Sequence, residues 1–218
     1  NGYGLGITYK YMRSPHLFSS NMVSIELQIT NHGNVELTDV QCIAKNLSGG
    51  MSMSEFAEIT KLMPKQTLMG ILGIDFADSS QAANFEIKSS AGTSKVSIKP
   101  PIGELIRSIS LPEAMFKEER NKLRGMTEST CKVQQLKADL TTLRALQSKI
   151  FEIANVAAIS HNDGDNVLLL AGQTMCSKNI VLITVSMVDE SATITVNCDK
   201  VVVGSILINE IRDAIKKV

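Results

Sequence analysis

The sequence predicts an α+β chain in two parts, a β-sandwich over residues 1–101 followed by a mixed α/β platform with an antiparallel sheet and flanking helices over residues 102–218. Three observations predict it. Apolar and polar residues mostly alternate before Pro100-Pro101, apolar residues recur at three- and four-residue spacing in three stretches after it, and the proline pair stands where the pattern changes. With 218 residues and 44% hydrophobic content, the chain has apolar material for two cores of about 100 residues each.

In the first part, short strands are expected over 5–12, 22–30, 37–44, 51–59, 67–76, 83–88 and 95–99. The second is the clearest: Val23, Ile25, Leu27 and Ile29 fall on one face, and Ser24, Glu26, Gln28 and Thr30 on the other. Asn31-His32-Gly33-Asn34 then supplies turn chemistry, with Gly and Asn able to take positive φ. Further turns are expected at Gly49-Gly50, Asp78-Ser79-Ser80 and 89–92, and this rhythm of short strands fits an immunoglobulin-like arrangement.

The second part opens with residues 103–110, and Ile102, Leu105 and Ile106 after the proline pair are too apolar for a free linker. Ser110-Leu111-Pro112-Glu113 has the spacing of a capping box and predicts a helix carrying Met115, Phe116, Glu119 and Leu123, stopped at Gly125. A second helix is expected over 138–157, with Leu140, Leu143, Leu146, Ile150, Ile153 and Ala157 as its buried stripe. Strands over 166–174, 180–188 and 191–198 follow, broken at Ser177-Lys178 and Asp189-Glu190. A last helix over 199–217 turns Val203, Ile206, Leu207, Ile211 and Ile215 inward. Three consecutive strands with short turns imply an antiparallel meander backed by helices, not the crossover units that build a cofactor crevice.

Charge narrows the function. The 22 basic residues balance the 22 acidic ones, eight of each before Pro100 and fourteen of each after it, so neither part carries the basic footprint of a nucleic-acid binder. Aromatics make up 4% and Trp is absent, which removes stacking platforms for single strands. Cys42, Cys131, Cys176 and Cys198 are scattered and form no Cys-x-x-Cys pair, as expected of a reducing compartment. No apolar run is long enough to span a bilayer and no signal-peptide pattern opens the chain; beginning at Asn1, it is expected to be a piece of a longer protein.

Motifs for chemistry are sparse, and no catalytic residue, metal or cofactor is expected. Gly2-x-Gly4-x-Gly6 precedes a strand instead of joining strand to helix, so it is no phosphate loop. His16, His32 and His161 stand apart in expected loops, and His161-Asn162-Asp163-Gly164-Asp165 lacks the spacing and terminal Glu of a calcium loop. Asn46-Leu47-Ser48 is a glycosylation acceptor only in a secretory compartment. Lys117-Glu118-Glu119-Arg120 and Lys122 form the solvated face of their helix. Two alternatives from other classes are a small-molecule-binding α/β enzyme fused to a sandwich, which needs a concave site with convergent titratable groups, and an extracellular adhesion module, which needs a disulfide.

Four segments carry a resemblance: 15–25, beginning Pro15-His16-Leu17-Phe18; Gly73-Ile74-Asp75-Phe76; 98–105, containing Pro100-Pro101-Ile102-Gly103; and Val203-Gly204-Ser205-Ile206-Leu207. Together the chain resembles the C-terminal appendage, or ear, of the beta subunits of adaptor protein complex 3, over nearly its whole length.

That resemblance implies a two-subdomain appendage, a sandwich followed by a platform, joined to an adaptor core by a flexible hinge and without enzymatic activity. It implies recruitment of accessory proteins through short peptide motifs, contact with other adaptor subunits through the rest of the parent chain, and association with clathrin. It also implies a cytoplasmic location, peripheral on Golgi, endosomal or coated-vesicle membranes, in the sorting of cargo towards lysosomes and related organelles. In a related appendage the platform site is built on a Trp followed by Lys. Phe116-Lys117 occupies that place here, making Phe116 the expected apolar anchor and Lys117 the expected charged neighbour, without an indole N–H to donate.

Overall fold

A computed structural model describes residues 4–159 and 166–217, and the His161-Asn162-Asp163-Gly164-Asp165 motif lies outside the described residues. The chain forms two compact units, Asn1–Pro101 and Ile102–Val218.

The first unit is all β. One antiparallel sheet has the order β1-β2-β6-β4, from β1 (Leu5–Met12), β2 (Val23–Asn31), β6 (Thr67–Asp75) and β4 (Ser52–Ser54). The other has the order β5-β3-β7-β8, from β5 (Ile59–Leu62), β3 (Leu37–Asn46), β7 (Ala83–Ser89) and β8 (Gly92–Ile98). Alternation places Ile25, Leu27, Ile29, Leu72 and Ile74 of the first sheet and Val40, Leu62, Phe85, Ile87 and Ile98 of the second in the core. The strand expected over 51–59 is two, β4 and β5, in different sheets. Phe56 between them is buried against Gly70, where a Cβ would meet its ring.

The turn after β2 is made differently from the expectation. None of residues 31–34 takes a positive φ. Asn31 is fully buried instead; its Nδ2 donates to the carbonyls of Val35 (2.8 Å) and Leu62 (3.0 Å), and its Oδ1 accepts from the Gly33 N–H (2.9 Å).

The second unit holds an antiparallel sheet of six strands. Its path is β10-β14-β13-β12-β11, from β10 (Glu128–Val133), β14 (Ser191–Cys198), β13 (Ile180–Val188), β12 (Val167–Thr174) and β11 (Ala157–Ala158), with β9 (Ile106–Ser108) also pairing with β12. The expected meander is β12-β13-β14, while β10 and β11 add to it beyond the expectation. Helices α2 (Leu143–Ala154) and α3 (Val201–Ile215) cover one face, and α1 (Glu113–Lys122) lies on the other.

α2 is shorter than expected because its ends are chemically fixed. Thr142 accepts from the Ala145 N–H at 3.2 Å, and Asn155 closes the helix in the left-handed region at φ 52°, its Nδ2 donating to the Ile106 carbonyl at 2.7 Å. Leu140 therefore belongs to a preceding 3-10 turn and Ala157 to β11. In α3 the buried positions are Val203, Gly204, Leu207, Ile208, Ile211 and Ile215, with Ile206 only half-buried. A 3-10 turn over Ile102–Leu105 packs on α2 and α3, and Gly103 allows it, since a Cβ there would collide with the Ile153 carbonyl.

Candidate functional site

α1 forms because its ten residues, EAMFKEERNK, are mostly strong helix formers and its charges suit the helix ends, with Glu113 in the first turn and Arg120 and Lys122 in the last. It lacks the expected capping box. The N-cap is Pro112, whose extended backbone starts the helix without any side-chain hydrogen bond, and Ser110 lies too early to serve.

The solvent face of α1 is laced with ion pairs. Lys117 meets Glu113 at 2.6 Å, and Lys122 meets Glu119 at 2.8 Å and Glu118 at 2.9 Å. Hydrogen bonds to Glu119 and Glu118 hold the Lys122 ammonium above its ordinary range, and the bond from Lys122 holds the Glu118 carboxyl below its own.

The inner face rests on Phe116. It is 0% exposed and packs with Leu123, Ile159, Leu169, Ala171 and Leu182. The expected apolar anchor is therefore a core residue: α1 covers the apolar half of one sheet face with a single large ring, and that ring cannot also face solvent. Lys117, 64% exposed, points away with Glu113, so the structure does not bring Phe116 and Lys117 together as anchor and rim. The exposed apolar groups here are Met115 (47% exposed) and Met126 (88% exposed).

Asn197, to which no sequence motif points, ties this helix to the sheet. Fully buried in β14, it donates from Nδ2 to the Leu123 carbonyl at 2.6 Å and to Glu128 Oε2 at 3.0 Å, capping the C-terminal end of α1. Its one signal in the sequence is an amide in an otherwise apolar strand end, Val196-Asn197-Cys198.

Beyond α1 the same sheet face is polar and, among the described residues, partly open: Thr130 and Lys132 are exposed, Ser186, Thr193 and Thr195 are half-buried, and the Thr184 hydroxyl is buried without a hydrogen-bond partner. Leu182, Asn197 and Glu128 form one cross-strand row, and two residues further along come Thr184, Thr195 and Thr130, then Ser186, Thr193 and Lys132. The Thr130 and Thr195 hydroxyls bond to each other at 3.0 Å. A flat strip of hydroxyls beside a charged helix can accept a polypeptide laid across it, and it assembles no nucleophile with a base and an orienting group.

Among the described residues, no group of three or more His, Cys, Asp or Glu could hold a metal ion, and no helix is long and apolar enough to cross a membrane. Cys42 and Cys198 are buried and Cys131 and Cys176 partly so. Burial pushes the Cys42 and Cys131 thiols up, away from reactive thiolate. His16 lies over Gly73 and His32 over Gly6, each ring packed where a Cβ would otherwise be.

Two family models match the chain. Residues 1–81 match the C-terminal family of the clathrin-adaptor complex-3 beta-1 subunit, and residues 103–215 match "AP-3 complex subunit beta-1, C-terminal domain". Among curated relatives, AP-3 complex subunit beta-1 of Mus musculus is 33% identical over 218 residues, 100% of this chain and 20% of that protein. AP-3 complex subunit beta-2 of the same organism is 32% identical over 215 residues, 98% of this chain and 20% of that protein. AP-3 complex subunit beta of Dictyostelium discoideum is 37% identical over 82 residues, 38% of this chain and 7% of that protein. The chain thus spans about a fifth of the length of the beta-1 and beta-2 relatives it matches.

Proposed function

This chain belongs to the C-terminal family of clathrin-adaptor complex-3 beta subunits, and from that premise we propose that it is a non-enzymatic appendage that recruits accessory proteins by short peptide motifs. The similarity running the whole length of the chain carries the reading. In it, residues 1–101 are an immunoglobulin-like sandwich and residues 102–218 a platform; two four-stranded antiparallel sheets with alternating burial in the first unit favour that assignment. The rest of the parent chain joins the other adaptor subunits, and the appendage serves from the cytoplasmic side as a peripheral part of a Golgi, endosomal or clathrin-associated coat. The cargo route is towards lysosomes and related organelles.

The contact surface of the platform, in this reading, is the open sheet face beside α1. It is centred on Thr130 and Thr195, with Met115 as an apolar contact and Lys117 as a charged one in place of the buried Phe116. The test is replacement in cells lacking the endogenous beta subunit. The full-length protein with Thr130→Arg and Thr195→Arg should assemble normally yet misroute lysosomal membrane proteins to the cell surface. Normal routing by that assembled variant would refute the surface, and normal routing by a parent chain lacking residues 1–218 would refute the recruiting role.

A further inference from the structure

β1 ends at Met12 and β2 begins at Val23, so residues 13–22 carry the chain over one end of their hairpin. Both sides of this loop are pinned. The His16 ring sits over Gly73, and its Nδ1 accepts from the Phe18 N–H at 3.2 Å. Past the turn, the Ser19 carbonyl accepts from the Met22 N–H at 3.2 Å, Ser19 Oγ accepts from the Asn21 N–H at 3.2 Å, and Met22 is buried beside Val23. Between these anchors Leu17 is fully exposed and Phe18 is 77% exposed. Apolar side chains exposed singly are ordinary, but these are two large neighbours held out together by a hydrogen-bonded turn.

The polar groups around the pair suit a lipid surface. The amides of Phe18, Asn21 and Met22 are satisfied inside the loop, and a segment entering an apolar phase needs its main-chain donors satisfied from within. A partner's pocket would have to match the shape of a convex tip, whereas a fluid bilayer closes around any small apolar projection. Charge favours the bilayer too. From Asn1 to Ile25 the sequence holds Lys10, Arg13 and His16 and no acid. Tyr11 Oη donates to the Lys99 carbonyl at 2.8 Å, bringing to this end of β1 an exposed lysine without an acidic partner among the described residues. On the adjoining strands the carboxylates are engaged, Glu26 by Lys10 at 3.0 Å and Asp75 by the Ala77 N–H at 2.8 Å.

We propose that Leu17 and Phe18 form a membrane-insertion tip, entering the boundary between headgroups and acyl chains of an anionic bilayer while Arg13 and Lys99 meet its headgroups. The depth suits them, because interfacial elements bury apolar surface about 5–10 Å into that boundary and keep their cations at headgroup level. Two side chains bury less apolar surface than one myristoyl chain, which by itself binds membranes only marginally and reversibly. The tip therefore orients a chain already delivered to a membrane and does not anchor it alone. This contact lies in the first unit and is independent of the sheet face beside α1.

The chain contains no Trp, so Phe18→Trp gives it a single indole at the tip; Val35→Trp, at a site 75% exposed beyond the opposite end of β2, is the control. Each variant would be titrated with vesicles of phosphatidylcholine alone and of phosphatidylcholine with about 30% phosphatidylserine. The tip indole should shift to the blue and be quenched by lipids brominated near the top of the acyl chain. It should do so at lower lipid concentration on the anionic vesicles, an advantage that shrinks in about 0.5 M salt. The control indole should stay unmoved. Adding Leu17→Ser to Phe18→Trp should raise the lipid concentration needed about tenfold. No shift on either vesicle, an equal shift of both indoles, or a shift without quenching would overturn the insertion. So would a shift that grows with protein concentration in the absence of lipid, which is a second copy on the tip. Loss of captured cytosolic proteins on Leu17→Ser with no lipid effect would overturn it in favour of a protein pocket. The recruiting role is tested separately by the Thr130→Arg, Thr195→Arg variant, whose tip is intact, so the two can fail independently.

Discussion

Replacing Phe116 with alanine tests whether α1 is held by one ring. Phe116 is 0% exposed and is the buried residue within the span of α1, so truncation removes the helix's main apolar contact with the sheet. A phenylalanine burying about 150–200 Å2 is worth about 4–5 kcal/mol at 25 cal/mol per Å2, of which alanine retains about 1 kcal/mol. The cavity left among Leu169, Ala171 and Leu182 adds to the loss, giving about 3–5 kcal/mol. That is a large part of the stability of a domain this size. The assay is urea denaturation followed by amide exchange in β12 and β13, with Met115→Ala, at a site 47% exposed, as a control costing under about 1 kcal/mol. A Phe116→Ala protein that loses less than about 1 kcal/mol would refute the packing argument.

Other expectations follow from single contacts. Asn197→Ala should cost about 1–3 kcal/mol in chemical denaturation, because the Leu123 carbonyl loses its buried donor, and amide exchange should report fraying at the C-terminal turn of α1. Gly103→Ala should cost about 1–3 kcal/mol in the same assay, since its Cβ meets the Ile153 backbone carbonyl, which cannot swing aside as a side chain does. The α1 ion pairs should show a pH window. Glu118 has a lowered pKa, so its contribution is complete above its ordinary value of 4.5 and lost as pH falls through the lowered one; Lys122 has a raised pKa, so its contribution is complete below 10.5 and lost as pH rises through the raised one. Exchange protection of α1 should therefore be flat across neutral pH and fall in acid, and the acid-sensitive part should shrink in about 0.5 M salt because the groups are exposed.

Strand periodicity makes much of the fold legible. The expected bounds 5–12, 180–188 and 191–198 coincide with β1, β13 and β14, because each carries β-branched or aromatic residues in alternation between clear turns. β10 is hidden because Ser129 and Cys131 occupy two of its inward positions, small residues that dilute the alternating signal. β11 has only two residues, and its pairing to β12 is fixed by long-range contact. Apolar spacing overextends α2 since it runs on through Leu140 and Ala157, while the true limits are set by Thr142 and Asn155. The site is less legible. Spacing places Phe116 and Leu123 on one stripe, but which stripe faces the sheet depends on Leu169, Ala171 and Leu182, more than forty residues away in sequence. Asn197 and the threonine rows are visible only once β10 and β14 are paired.

Recruitment through the sheet face beside α1 is tested most directly by comparative affinity capture. Wild-type chain and the Thr130→Arg, Thr195→Arg double variant would be immobilised at equal density, exposed to the same cytosol and compared by quantitative mass spectrometry after both are shown to melt alike. A small set of proteins should be retained by the wild type and reduced about tenfold or more by the variant, since two bulky charges would stand in the strip proposed to receive a peptide. Equal recovery of the same proteins on both surfaces would contradict recruitment through this face.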